Sequence, residues 1–154
     1  MNTTTYNWKS QVPPWIDAAT LLLFGCGGHG KTLIDLVRVM GSYQWGGLLD
    51  ESLPAGTQVM DLPVFGGAEL LPDLYKSGFH QAVNGVGGIG NVEARLRIFD
   101  LLAKAGFSFP TLIHPTAWVE PSATVESGAQ VLPLTYVGTE SVIGFGSLLN
   151  AHVI

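Results

Sequence analysis

Residues 25–32 read Gly-Cys-Gly-Gly-His-Gly-Lys-Thr, and this octet can hold phosphate in two ways. It satisfies the P-loop pattern G-x-x-x-x-G-K-[ST] and also the dinucleotide fingerprint G-x-G-x-x-G. Both place glycines after a strand, so that backbone N–H groups and a helix N-terminus face an anion with no Cβ between them. Gly25, Gly27, Gly28, His29, Gly30 and Lys31 are therefore candidates for phosphate contact. Asp50 stands 20 residues after Gly30, where a Rossmann-like unit carries an acid for a ribose hydroxyl. That spacing favours the nucleotide fingerprint. The P-loop reading requires in addition an acid for Mg²⁺ and a larger sheet. A third reading makes the loop a turn that only packs a helix on a sheet.

Of the four histidines, His29 belongs to this loop and His80 precedes an apolar run as a surface residue. His114 and His152 lie in the C-terminal third. Cys26 is the single cysteine. It excludes an internal disulfide and fits a reducing cytoplasm, and inside the loop, with no base beside it, it makes a poor nucleophile.

The elements that must position these residues follow from hydrophobic pattern. Thr20 to Phe24 is a short continuous apolar run, as expected of a parallel strand buried on both faces. Gly27 to Met40 places Leu33, Ile34, Leu36, Val37 and Met40 at helical spacing, with Gly41 as a stop. Strands are expected at Tyr43–Asp50, Gln58–Phe65, His80–Val86 and Phe107–Leu112, with helices at Ala68–Lys76 and Asn91–Ala105. This alternation predicts an α/β domain with a Rossmann-like parallel sheet over residues 20–110. Residues 1–19 carry no periodicity and read as a loosely packed extension.

From Thr111 the period changes. Ile113, Val119, Val125, Val131, Val137, Ile143 and Leu149 recur at every sixth position, and a small residue (Thr, Ala or Ser) stands two places before each. Neither a helix nor a sheet strand has that period, and β-hairpins would alternate every second residue. It is the signature of a hexapeptide β-helix, in which the aliphatic residue fills the axis and three hexads close a coil. Residues 111–154 are thus expected to form the start of a left-handed parallel β-helix of little more than two coils. The last of these leaves Leu149 and a backbone edge to be covered by further chain or by another subunit.

The composition narrows the classes. Charged residues are 12% and hydrophobic residues 47% of 154, and the formal net charge is −5. So little charge implies apolar surface buried between layers or subunits. Without a basic cluster, nucleic acid is not an expected partner. No apolar run approaches the roughly 18 residues of a membrane span, and the polar start lacks a signal-peptide core.

The order of parts resembles the PglD/NeuD family of sugar acyltransferases. The likeness runs from Gly27-Gly28-His29-Gly30-Lys31 and the acid ending the second strand, through Gly90-Asn91-x-Glu93-x-Arg95, to Ile113-His114-Pro115-Thr116-Ala117 entering the hexads. The resemblance implies an acetyltransferase that moves an acetyl group from acetyl-CoA to a nucleotide-activated amino sugar for surface glycan synthesis. It would be a cytoplasmic homotrimer with acetyl-CoA bound between β-helices, needing no metal. By position the glycine loop would line the sugar nucleotide's phosphates and Asp50 its uridine, while Asn84, Gly85 and Gly90 would close the pocket. The family's catalytic base is a histidine in N-x-x-x-x-V-x-H. Asn150 matches its asparagine, which puts the histidine just beyond Ile154. His114 fits the family's structural His-Pro junction, and His152, two places after Asn150, is out of phase but is the nearest substitute. A non-catalytic nucleotide-sugar-binding or scaffolding protein is the competing expectation.

Overall fold

The computed structural model describes residues 5–154, so the first four residues of the extension expected at 1–19 lie outside the described residues. In the rest of that stretch most residues are exposed, while Tyr6, Val12 and Ile16 are half-buried against the core. Trp8, at the start of a short 3-10 turn, is buried, and its ring lies 6.0 Å from that of Phe65.

The first half is a three-layer α/β unit. β1 (Thr20–Phe24) leads into α1 (Gly28–Met40), and β2 (Gln44–Leu49) is followed by the short β3 (Gln58–Val59) and β4 (Leu62–Gly66). A 3-10 turn opens α2 (Leu71–Lys76), and β5 (Gln81–Asn84) and α3 (Val92–Lys104) complete the unit. The sheet order is β3-β4-β2-β1-β5, with β1 parallel to both β2 and β5 and β2 parallel to β4. All five residues of β1 are buried, as its unbroken apolar run requires of a central strand. Both long helices end where expected. Gly41 takes φ 71° and donates to the Val37 carbonyl, and at the other helix start Asn91 accepts from Ala94 N–H at 2.9 Å.

Two expected strands differ. Gln58–Phe65 is not one strand but an antiparallel β3–β4 hairpin, turned by Met60 and Asp61 with φ 49° and 66°. Two residues at positive φ match a two-residue hairpin turn, but Met-Asp lacks the usual Asn-Gly signal. Phe107–Leu112 is not a sheet strand either. Only Ser108 bridges to Gln81, and Pro110, with no N–H to give to a ladder, precedes the departure of the chain into the coils.

From Leu112 onward the chain forms a parallel β-helix of two-residue strands: β6 (Leu112–Ile113), β7 (Trp118–Val119), β8 (Thr124–Val125), β9 (Gln130–Val131), β10 (Tyr136–Val137), β11 (Val142–Ile143) and β12 (Leu148–Leu149). β6, β7, β8 and β9 each pair with the strand 18 residues on, so Ile113, Val131 and Leu149 stack on one face, Val119 and Val137 on the second, and Val125 and Ile143 on the third. Val131, held between its neighbours, is fully buried.

The core runs through both halves. One face of the sheet packs against α1 (Leu33, Ile34, Leu36, Val37) and then against Leu112 and Leu132 of the first coils. The other face is covered by α2, α3 and the N-terminal stretch, through Trp8, Phe65, Leu71, Leu74, Ile98 and Leu102.

Candidate functional site

The glycine loop is a three-residue turn, Gly25 to Gly27, between β1 and α1. Its tightness comes from one atom, the Gly25 carbonyl oxygen. A Cβ on Gly30 or on Gly85 would lie 2.1 Å from that oxygen, so both positions require glycine for helix and strand to close up. This is the packing task of the last glycine in the dinucleotide fingerprint. Gly25 itself has φ 102°, and its N–H donates to the Leu49 carbonyl at 2.8 Å. At Gly27 and Gly28 an added Cβ would meet nothing within 4 Å. The backbone there faces open space at the N-terminus of α1, the arrangement that receives phosphate. Thr32 lies on the far side of α1, its hydroxyl on the Gly28 carbonyl, bordering a cleft with His114 and Leu132. A P-loop would turn that side chain toward a metal-bound phosphate.

Beside the turn is a cavity of about 200 Å³, lined by Phe24 and Gly25, by Asp50, Glu51 and Ser52 after β2, and by Val86, Ala94, Arg97 and Ile98. It lies at the carboxyl ends of β1, β2 and β5, where open α/β sheets bind ligands. Asp50 forms its wall and braces the turn. One carboxylate oxygen accepts from Cys26 N–H at 2.8 Å, and the other accepts from Ser52 N–H, Ser52 hydroxyl and Leu53 N–H. Burial would raise the Asp50 pKa, but these donors outweigh it and hold the carboxyl below its usual range. Glu51 accepts from Ala68 N–H at 3.0 Å. Cys26, buried and next to the Asp50 carboxylate, is pushed up to about 12 and stays a thiol at neutral pH.

Other residues expected at the site face inward. His29 Nε2 is 2.7 Å from Gln130 Oε1. The Gln130 amide donates to the Asn84 carbonyl, and the Asn84 side chain bridges Arg95 O and Val86 N–H. Arg95, only 5% exposed, donates from Nε and Nη2 to Gly146 O and from Nη1 to Val86 O, with its guanidinium 5.1 Å from the Phe99 ring. This chain of bonds joins the glycine loop, β5, α3 and the β-helix. It also fixes a tautomer: because the Gln130 amide nitrogen is spent on a carbonyl, His29 must donate from Nε2. Burial chiefly, and then the Arg95 charge, keep the His29 pKa below its usual value against the Gln130 bond. Lys31 is exposed on the first turn of α1, and Gly90, with φ 80°, faces open space before α3.

None of the four histidines lines the cavity. His80 stacks edge-on against Tyr75, His114 Nδ1 is held by Thr116, and His152 is exposed at a coil corner with φ 62°. Sequence reasoning passed over Arg97, Gln130 and Gly146. Gln130 had a signal: the outward residues Leu112, Gln130 and Leu148, spaced 18 apart, share one face of the coil, and that face packs on α1.

Comparison with known proteins agrees with this arrangement. The chain superposes on perosamine N-acetyltransferase of Caulobacter crescentus, solved in complex with CoA and GDP-perosamine, with TM-score 0.80 and 25% identity over 90% of this chain and 63% of that one. It superposes on the acetyltransferase domain of PglB from Neisseria gonorrhoeae, solved with acetyl coenzyme A, with TM-score 0.73 and 33% identity over 87% and 62%. The chain therefore spans less than two thirds of either structure. A stretch of 44 residues is 46% identical to an acyl-[acyl-carrier-protein]–UDP-N-acetylglucosamine O-acyltransferase of Saccharophagus degradans, covering 29% of this chain and 17% of that one. The profile of the PglD N-terminal domain matches residues 20–102, which hold the sheet, the glycine turn and the cavity beside it, and the chain belongs to that family.

Proposed function

We propose that this chain carries the sugar-nucleotide site and the first β-helix coils of an acetyltransferase, which moves an acetyl group from acetyl-CoA to a nucleotide-linked amino sugar. The observation that carries this reading is the pairing of an open glycine turn at Gly27 and Gly28 with a cavity walled by Gly25 and Asp50. Phosphate would meet the N–H groups and dipole of α1, and the nucleoside would lie toward Asp50 and Glu51. Gly30, Gly85, Asn84 and His29 would serve by holding that turn against the β-helix, while Gly90 and Lys31 border the entrance. In the transfer itself, a positioned base would take the proton of the attacking amine as the thioester carbonyl is held within reach. The printed name of the Caulobacter crescentus neighbour, GDP-perosamine N-acetyl transferase, supports an amine as acceptor. We further propose a cytoplasmic homotrimer assembled along the β-helix, where Trp118, Leu134 and Tyr136 are exposed.

The test is calorimetry with UDP-, GDP-, dTDP- and CMP-linked amino sugars. Gly28→Val should abolish binding in a folded protein, because its branched side chain would fill the space left open for phosphate. Tighter binding of ATP with Mg²⁺ than of any sugar nucleotide would overturn the reading. Thiol release from acetyl-CoA, measured on the whole gene product with the sugar that binds, tests the transfer.

A further inference from the structure

The cavity beside the glycine turn is lined by two carboxylates, Asp50 and Glu51. A nucleoside diphosphate entering it would bring further negative charge into a chain of net charge −5. Loop N–H groups and a helix dipole offset part of that repulsion, but a full cation does more, and arginine fits phosphate by its planar fork. Most cations of the chain are engaged elsewhere. Lys9 lies over the Trp8 ring, Arg38 holds Asp35 and the Met60 carbonyl, Arg95 is buried on backbone carbonyls, and Lys104 pairs with Asp100 at 2.6 Å. Arg97 is different. It projects from the second turn of α3, lines the cavity together with Gly25, Asp50 and Glu51, and has no hydrogen bond or ion pair among the described residues. Glu93, one turn earlier on the same helix, is the usual partner for a surface arginine at this spacing, yet the two are not within ion-pair distance.

We propose that Arg97 is a specificity-determining residue that reads the diphosphate of the bound nucleotide across the cavity from the glycine turn. The proposal rests on the nucleotide-sugar reading above and adds the residue that selects a diphosphate over a monophosphate or a bare nucleoside. The acids and the cation then divide the ligand. Asp50 and Glu51 face its neutral nucleoside, and Arg97 with the α1 N-terminus takes its charge.

The experiment titrates the full chain with UDP, GDP, dTDP and CDP, with the matching monophosphates, and with the matching nucleosides, at low and at raised salt. The parent should bind its preferred diphosphate about tenfold more tightly than the monophosphate, with an affinity that falls as salt rises. Arg97→Gln should erase that preference and flatten the salt dependence while leaving nucleoside binding unchanged, and Arg97→Lys should restore part of the preference. Lys76→Gln, at the distant end of α2, should match the parent. An Arg97→Gln protein that keeps the parent's diphosphate preference, or that loses nucleoside affinity to the same degree, overturns the role given to Arg97 while the nucleotide reading stands. A parent chain that binds none of these ligands and none of the four sugar nucleotides above overturns the nucleotide reading and this proposal together.

Discussion

At the scale of single residues, the Gly25 carbonyl separates two kinds of glycine that look alike in the motif. Gly30 presses on it and Gly28 does not. Gly30→Ala would set a methyl against a backbone oxygen that cannot rotate away, and should cost about 1–3 kcal/mol through displacement of α1. Gly28→Ala should leave urea unfolding unchanged or slightly improved. If Gly30→Ala unfolds at the parent's urea concentration, this packing account fails. His29 gives a pH prediction. Its folded pKa lies below the unfolded value of 6.5, because burial disfavours the imidazolium. On acidification the unfolded chain therefore binds the proton first. The stability tied to His29 is full above 6.5 and is lost as pH falls from there through the lowered folded value. His29→Gln keeps a donor for Gln130 but cannot titrate, so its stability should fall less steeply over that window than the parent's. Chemical unfolding measured across that pH range checks the slope.

At the scale of elements, the coils are fastened to α3 by Arg95. Its fork spans the Gly146 and Val86 carbonyls, and Phe99 fits so closely beneath the coil that a Cβ on Gly146 would lie 2.8 Å from its ring. Arg95→Leu keeps some apolar bulk but leaves two carbonyls without donors, at an expected cost of about 1–3 kcal/mol for each group that stays dry. The loss should be uneven. Amide hydrogens of β6, β9 and β12 should exchange faster, while those of β1, whose neighbours are untouched, should keep most of their protection. Uniform loss of protection in both sets would show that sheet and coils open as one unit and that Arg95 does not hold a separable contact.

At the scale of the whole molecule, the sparse charge of the chain finds its counterpart in apolar surface. Trp118 is 63% exposed, and it pairs across the coil with the exposed Tyr136, close to Leu134. Isolated apolar side chains on a surface are ordinary, but an adjoining tryptophan, tyrosine and leucine on a regular face suit a subunit interface. In the proposed trimer, Trp118→Asp would bury a carboxylate and should shift the sedimenting species toward single chains. The wild-type chain sedimenting as a monomer at every concentration would remove the trimer from the proposal.

Much of this architecture was legible in local pattern. The unbroken run of β1, the helical spacing of α1 and α3, and the six-residue period each describe a face that must be buried, and burial is repeated along the chain at a period a short window can hold. The axial series from Ile113 to Leu149 stacks in the register that three hexads per coil demand. The glycine octet marked the tight strand-to-helix turn for the same reason, since such a turn needs its glycines next to one another. What only the tertiary structure decided is which motif residues face the open turn and which face the interior. His29 bonds to Gln130 across 101 positions, and Arg95 to Gly146 across 51. No window contains such partners, and a polar side chain turns toward whichever distant group satisfies it once water is excluded. Arg97 was passed over for the complementary reason: its position beside Gly25 and Asp50 exists only after α3 has packed on the sheet.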